Sequence, residues 1–274
     1  MESLLTQTKW RFIDQSISAK TASPLESFAM DDTLCHLVGQ QLGKPTIRTW
    51  VHNDSVVLGI QDHRLPYVEA GMNELCANGY NPIVRNSGGL AVVLDSGVLN
   101  VSVIVSEQQP ISINRAFEVM VEFIKAIFPE LQDKIEAFEI VGSYCPGSYD
   151  LSIGGQKFAG ISQRRMKNGV AVQIYLCVEG SGSERAELIK KFYQISLQNE
   201  QTKFKYPTIT PHVMASLQQL TGQQITVEDV NLRIQQLLLE WDDQLEIMPL
   251  QQDEVELYSY YLTRIFKRNE SLLR

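Results

Sequence analysis

The sequence has 274 residues, of which 44% are hydrophobic and 20% charged, and its formal net charge at pH 7 is -8. This length and balance predict one large domain, residues 1–250, followed by a helical carboxy-terminal tail, residues 251–274. The acidic charge argues against nucleic acid as a partner, and no apolar stretch approaches the roughly 20 residues of a membrane helix.

The amino-terminal stretch lacks a basic start followed by an apolar run and a small-residue cleavage site, so it does not resemble a secretory signal. We therefore expect a cytoplasmic protein without a membrane partner. The next segment, residues 26–42, has apolar residues at helical spacing and ends at Gly43 and Pro45. It predicts an amphipathic helix whose apolar stripe packs on a sheet.

Short β-rich runs separated by turn signals follow over residues 48–60 and 81–106. The run from Val98 to Ser106 alternates, so that Leu99 and Val101 share one face and Asn100 and Ser102 share the other. We expect this strand to line a site with Asn100 and Ser102.

A helix is predicted over residues 114–128, where apolar residues recur at intervals of three and four residues and a proline ends the pattern.

Strand character returns over residues 136–177, and the glycine pair at 154 and 155 predicts a hairpin turn. After Ser183 the chain is mainly helical, and the T-x-x-D pattern at Thr226 predicts the start of a helix that reaches about Trp241. These elements predict an α+β fold with mixed or antiparallel sheets covered by helices. Along the sequence, the two sheet-rich blocks flank one long helix, and further helices follow.

The four cysteines are widely spaced and the four histidines are scattered, so no zinc motif, disulfide framework or metal site is predicted. Cys35, Cys76 and Cys177 are interpreted as small buried hydrophobic residues. Cys145 differs, because the segment G-S-Y-C-P-G places its thiol on a bent, glycine-bounded backbone. Both a reactive thiol and a buried one stay open at this point, since reactivity also needs a group that lowers the thiol pKa.

Lys157 follows the predicted hairpin and is a candidate for that group, because an ammonium favours a nearby thiolate. The alternative is a solvated hairpin lysine. The segment from Arg85 to Asp95 begins R-N-S-G-G, and its backbone N–H groups at Ser87, Gly88 and Gly89 can meet a carbonyl or phosphate oxygen. An ordinary hairpin is the alternative for this segment as well.

Together, R-N-S-G-G-L-A-V-V-L-D and the later G-Q-K-F-A-G-I-S-Q-R-R resemble the catalytic domain of lipoate-protein and biotin ligases, over most of residues 30 to 250. Within that superfamily, G-S-Y-C-P-G-S-Y-D before K-F-A-G-I-S-Q-R-R is similar to the lipoyl amidotransferases. ATP-using relatives commonly have S-G-G-G and H-D where this chain has Leu90 and Leu94. An adenylating role is therefore less favoured.

The resemblance implies an acyltransferase without a cofactor. It would move an octanoyl or lipoyl group from a lysine of the glycine cleavage H protein to a lysine of lipoyl domains in 2-oxoacid dehydrogenase complexes. Cys145 would carry the acyl thioester, and Lys157 would lower its pKa and transfer protons. The substrate is expected to bind at a set of eight further residues: Arg85, Ser87, Gly88, Gly89, Leu90, Gly142, Ser143 and Gly160.

Three alternatives stay open. They are an octanoyltransferase that uses acyl carrier protein as donor, an ATP-dependent lipoate-protein ligase, and a non-catalytic protein that only binds lipoylated domains. The acidic net charge also predicts that an acidic partner is attracted only if basic side chains gather at the site mouth. The candidates for such a basic group are Arg85, Lys157, Arg164, Arg165 and Lys167.

Overall fold

The computed structural model describes Leu5, residues 9–107 and residues 111–272. Residues 1–4 and 6–8 of the amino-terminal stretch considered above and the last two residues of the expected tail lie outside the described residues. The strands are β1 (Arg11–Gln15), β2 (Thr46–Trp50), β3 (Ser55–Leu58), β4 (Asn81–Val84), β5 (Val92–Leu94), β6 (Val98–Ser106), β7 (Glu136–Ala137), β8 (Leu151–Ile153), β9 (Gln156–Met166), β10 (Gly169–Cys177) and β11 (Glu246–Ile247). The helices are α1 (Pro24–Gly39), α2 (Val68–Ala77), α3 (Ile113–Ile127), α4 (Gly182–Leu197), α5 (Leu217–Thr221), α6 (Val227–Trp241) and α7 (Val255–Leu272).

The strands form two mixed sheets, which confirms the predicted fold class. The large sheet has the order β11-β1-β2-β6-β10-β9-β8-β7, and the small sheet has the order β4-β3-β5. Pairing is antiparallel except where β1 meets β2 and β11 and where β3 meets β4. The two sheet-rich blocks of the sequence share the large sheet, because β2 and β6 hydrogen-bond into the sheet of β8 to β10.

The alternation predicted for β6 is confirmed. Leu99, Val101 and their odd-numbered neighbours pack in the larger core cluster with α3 and α6. Asn100 and Ser102 lie on the opposite face, which is the face that α1 covers. The helix predicted over residues 114–128 is α3, and the helix predicted from Thr226 is α6, capped by the Thr226 side chain.

Helix α1 differs from its prediction in length and in environment. It begins at Pro24 with a capping box made by Ser23 and Glu26, and it ends at Gly39, not at residue 42. Most of its residues are buried on all sides, because α7 packs on it in addition to the large sheet. Within the part of the chain that the structure describes, no helix has the length and apolar character needed to cross a membrane.

Candidate active site

Cys145 lies in the loop between β7 and β8, on a backbone bent into the left-handed region. Its φ is +44°, which is uncommon for a residue other than glycine. The carboxylate of Asp150 holds this loop together, since its Oδ2 accepts the backbone N–H of Gly147 at 3.1 Å and that of Ile140 at 3.3 Å. The loop presents a half-buried thiol in a fixed position.

The Cys145 sulfur is approached by two donors from the segment that joins β4 to β5. The backbone N–H of Leu90 lies 3.2 Å from Sγ, and Nη2 of Arg85 lies 3.6 Å from it. The first contact is a hydrogen bond to the sulfur, and the second places a positive charge beside it. The polar contacts of the sulfur therefore come from the R-N-S-G-G-L segment.

Lys157 meets the main chain of the cysteine loop. Its Nζ donates to the carbonyl oxygens of Cys145 at 2.9 Å and Tyr144 at 3.0 Å, and to the hydroxyl of Ser143 at 3.3 Å. The side chain is fully buried, so the alternative of a solvated hairpin lysine was wrong. The predicted hairpin itself is present, with Gly154 and Gly155 between β8 and β9.

Asp150 completes this arrangement and was missed by the sequence analysis. Its Oδ1 lies 3.0 Å from Nζ of Lys157, and both side chains are shut off from solvent. Burial raises the pKa of the Asp150 carboxyl, and the neighbouring Lys157 charge opposes that rise. Asp150 closes the cysteine segment in the sequence, but no spacing rule distinguishes it from an acidic loop residue.

The glycine segment can approach the thiol because Gly89 has no side chain. Its φ is +101°, and a Cβ there would overlap the Arg85 guanidinium and lie 3.2 Å from Sγ of Cys145. Arg85 in turn donates to the carbonyl oxygen of Leu90 at 2.5 Å. The hydrogen bond from Arg85 to the Leu90 carbonyl therefore helps to hold the Leu90 N–H next to the sulfur.

A cavity of about 270 Å³ opens beside Cys145, slightly below the range of roughly 300–1,000 Å³ for small-molecule pockets. Its apolar wall is formed mainly by Phe28, Trp50, Val57, Val92, Leu94, Phe117, Ile161, Ile174 and Tyr175. Its polar lining includes Arg85, Asn100, Ser162, Gln163 and Gln173. The shape and lining suit an apolar chain attached to a polar head.

The structure brings four of the predicted binding residues to this cavity with Cys145, namely Arg85, Gly88, Gly89 and Gly160. Leu90 reaches the sulfur through its N–H, and Ser143 contacts the Lys157 ammonium. Two residues lie away from the cavity wall. Ser87 is buried beside the segment, and Gly142 packs against Thr210, whose N–H donates to its carbonyl oxygen at 2.8 Å.

Of the two polar residues expected on β6, only Asn100 lines the cavity. Ser102 is turned into a buried polar cluster, where it donates to Asp31 at 2.8 Å and accepts from Nε1 of Trp50 at 3.2 Å. Gln173 links this cluster to the cavity wall, since its Nε2 donates to Asp31 at 2.5 Å. These contacts fix the floor of the cavity.

The remaining thiols lie outside the site. Cys35 and Cys177 are buried, as predicted, whereas Cys76 is exposed at the end of α2, so its assignment to the core was wrong. Among residues 9–107 and 111–272, no group of three or more histidine, cysteine or acidic side chains is placed to hold a metal ion.

Three of the five candidates for basic charge at the site mouth are paired with carboxylates, whereas Arg85 lines the cavity. Lys157 is fully buried and paired with Asp150, and Arg164 and Arg165 form ion pairs with Asp32 and Glu107. Each of these three charges is neutralised by a carboxylate, so they do not project a common positive field.

The sequence is similar to those of known proteins along its whole length. Residues 23–238 match the model of the lipoyl protein ligase A/B catalytic domain. A protein of Lysinibacillus sphaericus named octanoyl-[GcvH]:protein N-octanoyltransferase is 63% identical over 274 residues, covering 100% of this chain and 99% of that protein. A protein of the same name from Exiguobacterium sibiricum is 51% identical over 98% of each chain.

Solved structures share the fold at low identity. A lipoate-protein ligase A bound with ATP superposes with a TM-score of 0.68 at 18% identity, covering 96% of this chain and 95% of that one. The bipartite lipoate protein ligase of Thermoplasma acidophilum gives a TM-score of 0.66 at 18% identity over 98% of both chains. At these identities the likeness concerns the fold alone.

Proposed function

The chain belongs to the lipoyl protein ligase A/B catalytic domain family, and we propose that it works by forming an octanoyl thioester on Cys145. It is an enzyme of protein lipoylation, a protein N-octanoyltransferase, because full-length relatives of that name match it throughout. The observation that carries the proposed mechanism is the Cys145 sulfur, which lies against the Leu90 N–H and the Arg85 guanidinium at the wall of an apolar cavity.

The first half of the reaction starts with an octanoyl amide on a donor lysine. The Cys145 sulfur attacks the amide carbon, the carbon–sulfur bond forms, and the carbon–nitrogen bond breaks as the lysine amine leaves with a proton. In the second half an acceptor lysine attacks the thioester carbon, the carbon–nitrogen bond forms, and the carbon–sulfur bond breaks to release the thiolate. Lys157, which gave a proton to the first amine, takes up the proton that the acceptor amine loses. One amide replaces another, so the overall free energy is near zero and no nucleotide is needed.

Lys157 enters the proposal as the cationic partner of the cysteine loop. The departing amine needs a proton, and of the charged groups that contact Cys145 a guanidinium keeps its protons near neutral pH, whereas an ammonium exchanges them. To deliver a proton, Nζ of Lys157 must move from the carbonyl oxygen of Cys145 to the side of that residue on which the sulfur lies. In the present geometry the ammonium also fixes the loop.

The cavity provides binding energy and excludes water. Burying methylene groups contributes about 0.8 kcal/mol each before the ordering of the chain is subtracted, so an octanoyl tail gains several kcal/mol. Water must be kept away, because hydrolysis of the thioester is irreversible in practice. The aromatic and aliphatic wall around Phe28, Trp50 and Val57 serves both purposes.

The donor that we propose is the octanoylated H protein, since the name of the full-length relatives specifies it for them. We further propose that the acceptor is a lysine of the lipoyl domains of 2-oxoacid dehydrogenase complexes, with the cytoplasm as the expected location. Lipoyl in place of octanoyl is compatible with the same chemistry, since both acyl groups present the same carbonyl to the thiol.

The experiment is intact-mass analysis after incubation with octanoylated H protein. The parent chain should gain one octanoyl mass, Cys145→Ser should lose thioester formation, and Cys76→Ser, which changes an exposed thiol outside the site, should behave as the parent. Transfer to an acceptor at the parent rate by Cys145→Ser would overturn the cysteine mechanism.

The same assay separates the alternatives. Octanoyl acyl carrier protein as the preferred donor would replace the H protein in the proposal, and pyrophosphate release from ATP and lipoate would favour a ligase. Binding of lipoyl domains without any acyl movement would indicate a carrier that is not catalytic.

A further inference from the structure

Tyr175 of β10 has a hydroxyl that the contacts described so far do not use. The side chain is 8% exposed and lines the cavity beside Cys145, yet its hydroxyl has no hydrogen-bond partner among the described residues. Buried tyrosine hydroxyls usually find a partner, because an unmade hydrogen bond is costly. An unpaired donor on a residue that lines the cavity points to a partner that arrives with the substrate.

The ring is held from two sides, so the hydroxyl has a defined position. Tyr144 stacks on it with centroids 5.9 Å apart and planes 26° apart, and Nζ of Lys157 lies 5.8 Å from its centroid. Tyr144 precedes Cys145 in the chain, and Lys157 donates to the Cys145 carbonyl oxygen. The position of the tyrosine is therefore coupled to that of the thiol.

Space for the hydroxyl comes from Gly160, the residue that faces Tyr175 across the β9–β10 ladder. A Cβ on Gly160 would lie 2.6 Å from Cε1 and 3.3 Å from the hydroxyl oxygen of Tyr175. The tyrosine tip thus lies over the bare backbone of Gly160, which itself lines the cavity. Burial raises the pKa of the Tyr175 phenol well above its ordinary value, so the group keeps its proton and donates.

We propose that Tyr175 is a catalytic residue whose hydroxyl donates a hydrogen bond to the acyl carbonyl oxygen in both half-reactions. This inference rests on the proposed thioester function. During attack by the Cys145 sulfur, the carbonyl carbon becomes tetrahedral and its oxygen gains negative charge. A fixed donor aimed at that oxygen stabilises the transition state more than the ground state.

The test is single-turnover thioester formation on Tyr175→Phe, with octanoylated H protein in excess. Loss of one donor to a developing oxyanion typically slows the chemical step about 100- to 1,000-fold, and a fall in this range is expected. Octanoyl binding and thermal stability should change little, because the substitution removes only an oxygen without a protein partner. A rate within about 3-fold of the parent would overturn the assignment.

Tyr144→Phe is the matched control, since this buried tyrosine is stacked on Tyr175 but directs its hydroxyl towards Cys177 and not into the cavity. Lys157 uses only the main-chain carbonyl of Tyr144, which the substitution preserves. Its rate should fall far less than that of Tyr175→Phe. Equal losses in the two variants would indicate a packing role for the pair and contradict the proposal.

A spectroscopic measurement separates a hydrogen bond from packing. The infrared band of a ¹³C-labelled octanoyl thioester on Cys145 should move to higher frequency in Tyr175→Phe, because the carbonyl loses a donor. An unmoved band would contradict the proposal. If the parent forms no thioester at all, the proposed function fails and this inference fails with it, whereas a slow Tyr175→Phe beside an active parent supports both.

Discussion

The ammonium of Lys157 lies 3.0 Å from the carboxylate of Asp150, and neither side chain is in contact with solvent. The pair joins the hairpin strand β9 to the loop that carries Cys145, because Nζ also donates to the Cys145 carbonyl oxygen and the carboxylate also accepts two backbone N–H groups of the loop. The ion pair is thus the structural link between the two predicted catalytic residues.

Asp150→Asn should lower the free energy of unfolding by about 3–5 kcal/mol, because it leaves the Lys157 charge buried without its counter-charge. Combining it with Lys157→Met should recover part of that loss, since no charge is then buried. Urea denaturation of the single and double variants gives the coupling energy. Glu187→Gln, which breaks an exposed pair with Lys190, is the control and should change stability by no more than about 1 kcal/mol. If Asp150→Asn also lowered the free energy of unfolding by no more than about 1 kcal/mol, burial would not strengthen the ion pair.

Gly160→Ala should be destabilised by about 1–3 kcal/mol, because the added methyl would lie 2.6 Å from the ring of Tyr175. It should also slow acyl transfer, since the ring must move. Gly88→Ala provides the stability control: nothing lies within 4 Å of its Cβ position and its φ is not positive. Thermal unfolding that ranks the two variants in the opposite order would be inconsistent with this packing.

Gly89→Ala should reduce the reactivity of Cys145. The backbone there has a φ of +101°, where a side chain costs about 1–2 kcal/mol, and a Cβ would displace the Arg85 guanidinium. The sulfur then loses its contacts with the Arg85 guanidinium and the Leu90 N–H. Alkylation by iodoacetamide, followed by intact mass at one fixed pH, should be slower in the variant than in the parent. An unchanged rate would mean that the contacts of Arg85 and Leu90 do not influence the reactivity of the thiol.

Asp62 should make stability fall as pH rises through weakly acidic values. Its carboxylate is buried, accepts from the Gly59 N–H and the Tyr193 hydroxyl, and has its pKa raised by burial from 3.8 to about 6. Between these values the folded chain binds more protons than the unfolded chain, so the free energy of unfolding decreases with pH. The full loss, roughly 3 kcal/mol, is reached above about pH 7.

The comparison with Asp62→Asn isolates this group, because asparagine does not titrate. The free energy of unfolding of the parent minus that of the variant should decrease from about pH 4 to about pH 7 by the amount given above. A difference that is flat over this range would show that the Asp62 carboxyl titrates normally.

The local elements of this fold were predictable because they follow from periodicity and from single residues. The alternation along β6, the helices α3 and α6, and the glycine turn between β8 and β9 depend on contacts within a few positions. The bent backbone at Cys145 also followed from its proline and glycine neighbours. Residues 11–15 and 68–77, which form β1 and α2, were not predicted, since both are short segments without a strong pattern.

The contacts between these elements, by contrast, were decided by the tertiary structure. The sequence indicated Cys145 and Lys157 as partners, but only the fold brings the lysine to the cysteine carbonyl and gives the sulfur its contact with Leu90. Asp150 had no distinguishing pattern, because its role depends on a strand that follows it and on the exclusion of water around both charges. Periodicity and turn chemistry act over a few residues, whereas burial and charge pairing are set by the packing of distant segments.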